Sequence, residues 1–313
     1  MESFWSMLTD PNAQWILLGC MLLGLCSGVI GCFAYLRKQS LMGDTLAHAA
    51  LPGICIAFML SGTKSIGLFL VGAGIAGLLA TFGIGWITRY SRIKSDAAMG
   101  IVLSSFFGLG IVLLTQIQHS NYGNQSGLDK FLFGQAASMI GSDVTIMLIV
   151  SLVIVAACTL LFKEFKLLSF DPGFAKGLGF PIALLDQLLM FFIVVSVVIG
   201  IQAVGVVLVA ALLITPAVSA RYWTDRLGVM VLLSGLFGAL SGVVGTWLSS
   251  TTVSLPTGPV SVLAQTLLFG LSLLLGPRRG LLAKRLTHRK AKLVLQEEQR
   301  MRATVSGKGG VDA

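Results

Sequence analysis

Asp44 and His48 stand four residues apart at the head of an otherwise apolar stretch, Leu36 to Phe58, LRKQSLMGDTLAHAALPGICIAF. Residues at i and i+4 of an α-helix project from one face, so the carboxylate and the imidazole can reach a common point. One oxygen and one nitrogen donor placed this way suit a borderline divalent metal. A carboxylate carried into hydrocarbon costs about 2.5 to 3.5 kcal/mol on insertion scales, so an acid here faces protein or water and has a task. Two plainer roles compete. Asp44 falls in the first turn of its helix, where the dipole favours a carboxylate that caps amide groups, and a lone histidine can be a satisfied packing residue. The i+4 pairing favours the ligand role.

The other candidates are weaker. His119, with Asn121, Asp129 and Asp143, decorates a segment between two apolar runs, either a polar vestibule or an ordinary wet loop. His288 sits among bases near the end of the chain without ligand-like company. HExxH is absent, and three widely spread histidines cannot build a His-rich hydrolytic site, which argues against an intramembrane metalloenzyme. The SGKGG near the end is no phosphate loop, because Arg302 occupies the place of its first glycine. No enzymatic activity and no permanently bound cofactor are expected.

The elements that position Asp44 and His48 are membrane helices. Of 313 residues, 55% are hydrophobic and only 11% charged, and the mean hydropathy is +0.90. A soluble domain carries about 25% charged residues. About nine all-α spans are expected, near Trp15–Tyr35, Leu41–Leu60, Ile66–Ile87, Ala97–Ile117, Val144–Phe162, Leu184–Gly200, Gly205–Tyr222, Leu227–Leu248 and Pro259–Leu275. Within them, the glycine pairs Gly24/Gly28 and Gly238/Gly242 suit close helix approach, and Thr215–Pro216 should bend a span. Cys20, Cys26, Cys32, Cys55 and Cys158 all fall in apolar runs without paired spacing, as small buried hydrophobes do, and no disulfide is expected. The amino terminus lacks a basic region before the first apolar run, so no cleaved leader is expected.

The formal net charge of +9 is gathered in short connections and the tail, which fits membrane orientation better than a nucleic-acid partner. Arg37, Lys38, Arg89, Arg92, Lys94, Lys163, Lys166, Lys176, Arg221, Arg226 and the residues from Arg278 onward fall on one side if the spans alternate. That side is expected to be the cytoplasm, with the amino terminus outside and the carboxyl terminus inside. Few bases lie on the other side, Lys64 and Lys130 among them. Residues 1–277 form the membrane domain and 278–313 a basic cytoplasmic tail, suited to lie on an anionic lipid surface or to remain solvated. Within residues 131–141, FLFGQAASMIG could form a short interfacial or re-entrant helix.

One connection on the basic side carries helix punctuation. In FKLLSFDPGFAKGLGFP, Asp171 can cap an N-terminus, Pro172 suits the first helical position, and Gly177, Gly179 and Pro181 supply a stop. About two turns of helix are expected. So short a helix is unstable alone and must be held by the membrane domain or by a partner's groove.

RKQSLMGDTLAHAALPGICIAF, the DPGFAKGLGFP connection and GVVLVAALLITPAVSARYW together resemble the permease subunit of bacterial ATP-binding-cassette importers for zinc, manganese or iron. The resemblance runs from about Cys20 to Pro277. It implies a fold related to the vitamin B12 importer permease, a homo- or heterodimer of permeases, two cytoplasmic ATPase subunits, and an extracellular or periplasmic metal-binding protein, all at a bacterial inner membrane. It places the transported metal on Asp44 and His48, doubled across a twofold axis. It places the ATPase-coupling helix on Asp171 to Phe180, thus on Asp171, Pro172, Gly173, Phe174, Ala175, Lys176, Gly177, Leu178 and Gly179. Two other transport readings are a permease for metal chelates, which needs a wide path and no direct ligand pair, and a gradient-driven transporter, which needs no capped cytoplasmic helix.

Overall fold

A computed structural model describes residues 11–62, 66–119, 134, 139, 141–251 and 255–284. The tail beyond residue 284, with His288, lies outside the described residues, as do Asn121, Asp129, Lys64, Lys130 and most of the 131–141 segment. The described elements are all helical. They are α1 (Pro11–Leu36), α2 (Met42–Ser61), α3 (Ile66–Tyr90), α4 (Ser95–His119), α5 (Gly141–Leu160), α6 (Phe162–Phe170), α7 (Pro172–Gly177), α8 (Ile182–Val204), α9 (Val206–Arg221), α10 (Leu227–Thr251) and α11 (Thr257–Leu275).

Eight of these, α1 to α5, α8, α10 and α11, are long and apolar enough to cross a bilayer. The remaining run, the seventh in chain order, forms α9, which has only 16 residues; it runs beside α11, since Gly258 at the α11 start meets Val204 just before α9 and Gly276 after the α11 end meets Tyr222. Gly205 sets its start: at φ 91° and ψ 163° it takes a backbone conformation that side chains rarely allow, and it separates α8 from α9. The fifth run also resolves further than its sequence suggested. Beyond α5 the separate helix α6 turns Phe165 and Leu168 inward, and the Phe165 ring packs on Phe33 with centroids 5.4 Å apart. Two inward residues three apart are too brief a pattern to mark a helix.

The bundle is built around α1, which packs against α10, α9, α5 and α8. At Gly24 and Gly238 the backbones of α1 and α10 meet so closely that a Cβ on either would collide with the other's carbonyl. Small residues permit that approach, and dispersion between backbones takes the place of the hydrophobic effect, which lipid does not supply. Buried hydroxyls fasten the same seam: Ser234 Oγ donates to the Gly28 carbonyl at 2.6 Å, and the Ser27 and Ser196 hydroxyls lie 3.3 Å apart between α1 and α8. All five cysteines are buried and free.

Pro216 lies inside α9 and has no N–H for the carbonyl of Leu212, four residues earlier. That carbonyl is met from outside the helix, because the buried Gln265 of α11 donates its Nε2 to it at 3.4 Å. A polar side chain in an apolar helix thus repairs the break that the proline makes. Gln265→Leu should lower stability in detergent by about 0.5–2 kcal/mol. Adding Pro216→Ala, which returns the missing donor, should recover most of the loss in thermal unfolding. Additive losses in the double variant would show that the two residues do not act on one carbonyl.

Candidate metal-translocation site

The approach to the site is the turn between α1 and α2. Lys38 takes the left-handed conformation at φ 58°, and Gln39 N–H donates to the Ala34 carbonyl at 3.0 Å, closing α1 in a Schellman-type stop without glycine. The Met42 N–H donates to the Gln39 carbonyl at 3.1 Å and the Thr45 N–H to the Leu41 carbonyl at 3.0 Å, so α2 starts at once. The backbone here satisfies itself, which lets the turn enter the bundle. Gly43 packs on Ala210 and Leu213 of α9. Leu213 precedes the α9 end at Arg221 by eight residues, about 12 Å of helical rise. Asp44 therefore begins well inside the bundle, deeper than its first-turn position suggests.

Asp44 and His48 come together as the spacing predicts. Asp44 Oδ1 lies 3.4 Å from His48 Nε2, with the carboxylate side chain 42% and the imidazole 20% exposed. Asp44 is not the cap of α2, whose N-cap is Leu41, and among the described residues its carboxylate has no partner except His48. The capping role is thus not the one it fills. Two donors held on one divalent ion at about 2.0–2.2 Å, with a near-tetrahedral angle between them, stand roughly 3.4 Å apart. The observed separation already suits a shared ion.

Phe107 of α4 sets the ring plane of His48: the centroids are 4.8 Å apart and the planes meet at 75°. His48 Nδ1 is buried and has no hydrogen-bond partner among the described residues. A structural zinc site would tie that nitrogen to a carboxylate or a carbonyl to raise the ligand's basicity. No group of three or more His, Cys, Asp or Glu side chains that could hold a metal occurs among the described residues. Asp44 and His48 are thus a pair of candidate donors without a third beside them among the described residues.

His119 is exposed at the end of α4 and its Nδ1 lies 2.9 Å from the Thr115 carbonyl of its own helix. Asp143 is buried in the first turn of α5. Neither is brought to Asp44 and His48.

The second feature is α7. Asp171 caps it as its sequence position suggests, its Oδ1 accepting from the Phe174 N–H at 2.9 Å, with Pro172 at the first helical position. The helix is six residues long, the expected length of about two turns, with Leu178 as its C-cap and Gly179 turning left-handed at φ 84°. Ala175 faces inward at 1% exposure while Phe170, Phe174 and Leu178 are 57%, 57% and 56% exposed. These three large apolar side chains lie exposed outside the long apolar helices. Sequence spacing located the helix and left its outward face unread, since a six-residue element has too few positions to show periodicity.

The profile of the ABC 3 transport family matches residues 9–276. The manganese transport system membrane protein MntC of Bacillus subtilis is 55% identical over 283 residues, which cover 90% of this chain and 65% of that relative's length. The zinc transport system membrane protein TroC of Treponema pallidum is 45% identical over 298 residues, 95% of this chain and 100% of that relative. Among solved structures, PsaBC from Streptococcus pneumoniae in complex with Fab aligns at a TM-score of 0.78 and 34% identity, covering 89% of this chain and 96% of that one. An inward-facing structure assigned to the metal-chelate type of ABC transporter aligns at 0.65 and 20% identity, over 84% and 88% of the two chains, a likeness of fold.

Removing the α7 cap with Asp171→Ala should cost about 1 kcal/mol locally. Hydrogen exchange of the Phe174 amide should accelerate roughly fivefold, with the α8 core unchanged. Unaltered exchange at Phe174 would show that the carboxylate does not hold the helix.

Proposed function

This chain belongs to the ABC 3 transport family, and from that premise we propose that it is the permease subunit of an ATP-binding-cassette importer that moves a divalent transition metal, manganese or zinc, into the cytoplasm. The observation that carries the reading is the pair Asp44 Oδ1 and His48 Nε2, 3.4 Å apart, deep in an apolar bundle and free of backbone capping. Two such chains about a twofold axis offer two oxygens and two nitrogens to one ion. The open, lightly supported donor set holds the ion briefly and releases it as the dimer changes conformation. Direct ligands of this kind serve a bare ion and would be idle on a chelate.

The chain itself performs no covalent chemistry. Separate ATPase subunits at the cytoplasmic face supply the energy, and the exposed Phe170, Phe174 and Leu178 on and beside α7 enter a groove on them. The segment Asp171, Pro172, Gly173, Phe174, Ala175, Lys176, Gly177, Leu178 and Gly179 is the coupling helix with its stop. The basic ends of the spans face the cytoplasm, so the amino terminus lies outside and the carboxyl terminus inside, at a bacterial inner membrane. A metal-binding protein delivers the ion from the outer side. Residues 1–277 form the permease domain and 278–313 the basic tail.

Asp44→Ala and His48→Ala should each reduce manganese and zinc uptake to background while the permease still inserts and retains its ATPase. Normal uptake by either variant would remove the pair from the pathway. The imidazole must be neutral to bind, so acid should weaken metal binding and uptake by the intact complex. Phe174→Asp, which leaves the Asp171 cap in place, should release the ATPase on co-purification. Uptake by the permease alone, driven by a pH gradient without nucleotide, would replace this mechanism with a gradient-driven one.

A further inference from the structure

Arg37 and Asp186 make an ion pair between the α1–α2 turn and the start of α8. Arg37 Nη2 lies 2.9 Å from Asp186 Oδ1, with the two side chains 18% and 37% exposed. Arg37 directly follows the C-terminal end of α1, and Asp186 stands in the second turn of α8, so each charge also complements the dipole of the helix end that carries it. The other guanidinium nitrogen of Arg37, Nη1, is buried and has no hydrogen-bond partner among the described residues. Asp186 is the carboxylate paired with this arginine, by charge and proximity rather than by an aligned hydrogen bond.

What gives the pair a role is what it connects. On one side, Asp186 is joined to α7 by an unbroken run of backbone hydrogen bonds. Phe180 N–H donates to the Ala175 carbonyl at 3.1 Å, Ile182 N–H to Phe180 at 2.9 Å, and Leu185 N–H to Pro181 at 3.0 Å. On the other, Arg37 is joined to α2 by the closed turn in which Gln39 N–H reaches Ala34 and Met42 N–H reaches Gln39. Asp44 and His48 occupy the first two turns of that helix. Each connection is short and closed by backbone hydrogen bonds.

We infer that Arg37 and Asp186 are positioning residues that transmit displacement of α7 and α8 to the start of α2, and so to the Asp44–His48 pair. The inference rests on the transport function proposed above and adds to it the element that links the ATPase end to the metal ligands. A contiguous linkage of rigid elements carries coupling where both ends bias it. The ion pair is the side-chain link in this one, and neither residue touches the ion.

The test uses the whole complex of permease, ATPase and binding protein in proteoliposomes, with manganese uptake and ATP hydrolysis measured in the same vesicles. Arg37→Asp and Asp186→Arg should each bind ATPase and retain basal hydrolysis, while manganese moved per ATP falls by roughly tenfold. The exchanged double variant, Arg37→Asp with Asp186→Arg, should recover most of the ratio. The neutral variants Arg37→Gln and Asp186→Asn serve where a reversed charge prevents assembly: each should lower the ratio, and combining them should lower it no further. A wild-type ratio in the single variants, or losses in the neutral pair that simply multiply, would overturn the inference. Wild-type vesicles separate the two levels: if they do not concentrate manganese on addition of ATP, the transport function itself fails and the inference falls with it. If they do, indifference of the variants refutes the ion-pair link alone.

Discussion

Keeping a carboxylate and an imidazole beside each other inside an apolar bundle is costly, and much of the structure around α2 answers that cost. Asp44 sits 3.4 Å from His48, about 12 Å along α9 from its basic end by the contact of Gly43 with Leu213. At such depth an unpaired acid is disfavoured by a few kcal/mol. The pair survives because each group answers the other and because the carboxylate remains partly open. The same openness suits an ion that arrives, stays briefly and leaves.

Bringing the start of a helix to that depth requires a turn with no unmet backbone groups. The α1–α2 connection meets the requirement with Lys38 in the left-handed region and paired amides on both sides. The price is a stiff turn. Arg37 sits in that turn and pairs with Asp186 near the start of α8, the contact on which the proposed link from α7 to α2 rests. A similar economy governs Pro216, whose orphaned carbonyl at Leu212 is satisfied by Gln265 from a neighbouring helix. In both places backbone irregularity is tolerated only where protein, rather than lipid, supplies the missing partner.

The exposed face of α7 follows a different logic. A spanning helix exposes leucines to lipid without consequence, and the outward rows on α3 and α4 have that character. Phe170, Phe174 and Leu178 lie beyond the spans, on a short capped element anchored by Ala175. Apolar surface at that place suits the ATPase groove proposed for it.

The sequence by itself determined the membrane class, the nine apolar helices, the Asp171 cap and the shared face of Asp44 and His48. Each of these is a local property, fixed by hydropathy over one span or by the geometry of one helical turn. Tertiary structure alone decided that α9 breaks from α8 at Gly205, that α6 is a separate helix, that the first turn of α2 packs on α9, and that Arg37 meets Asp186, 149 positions further along the chain. Those outcomes depend on which helices pack together. Packing in lipid is set by backbone approach and side-chain pairing between distant segments, and such pairing leaves no period in the sequence to read.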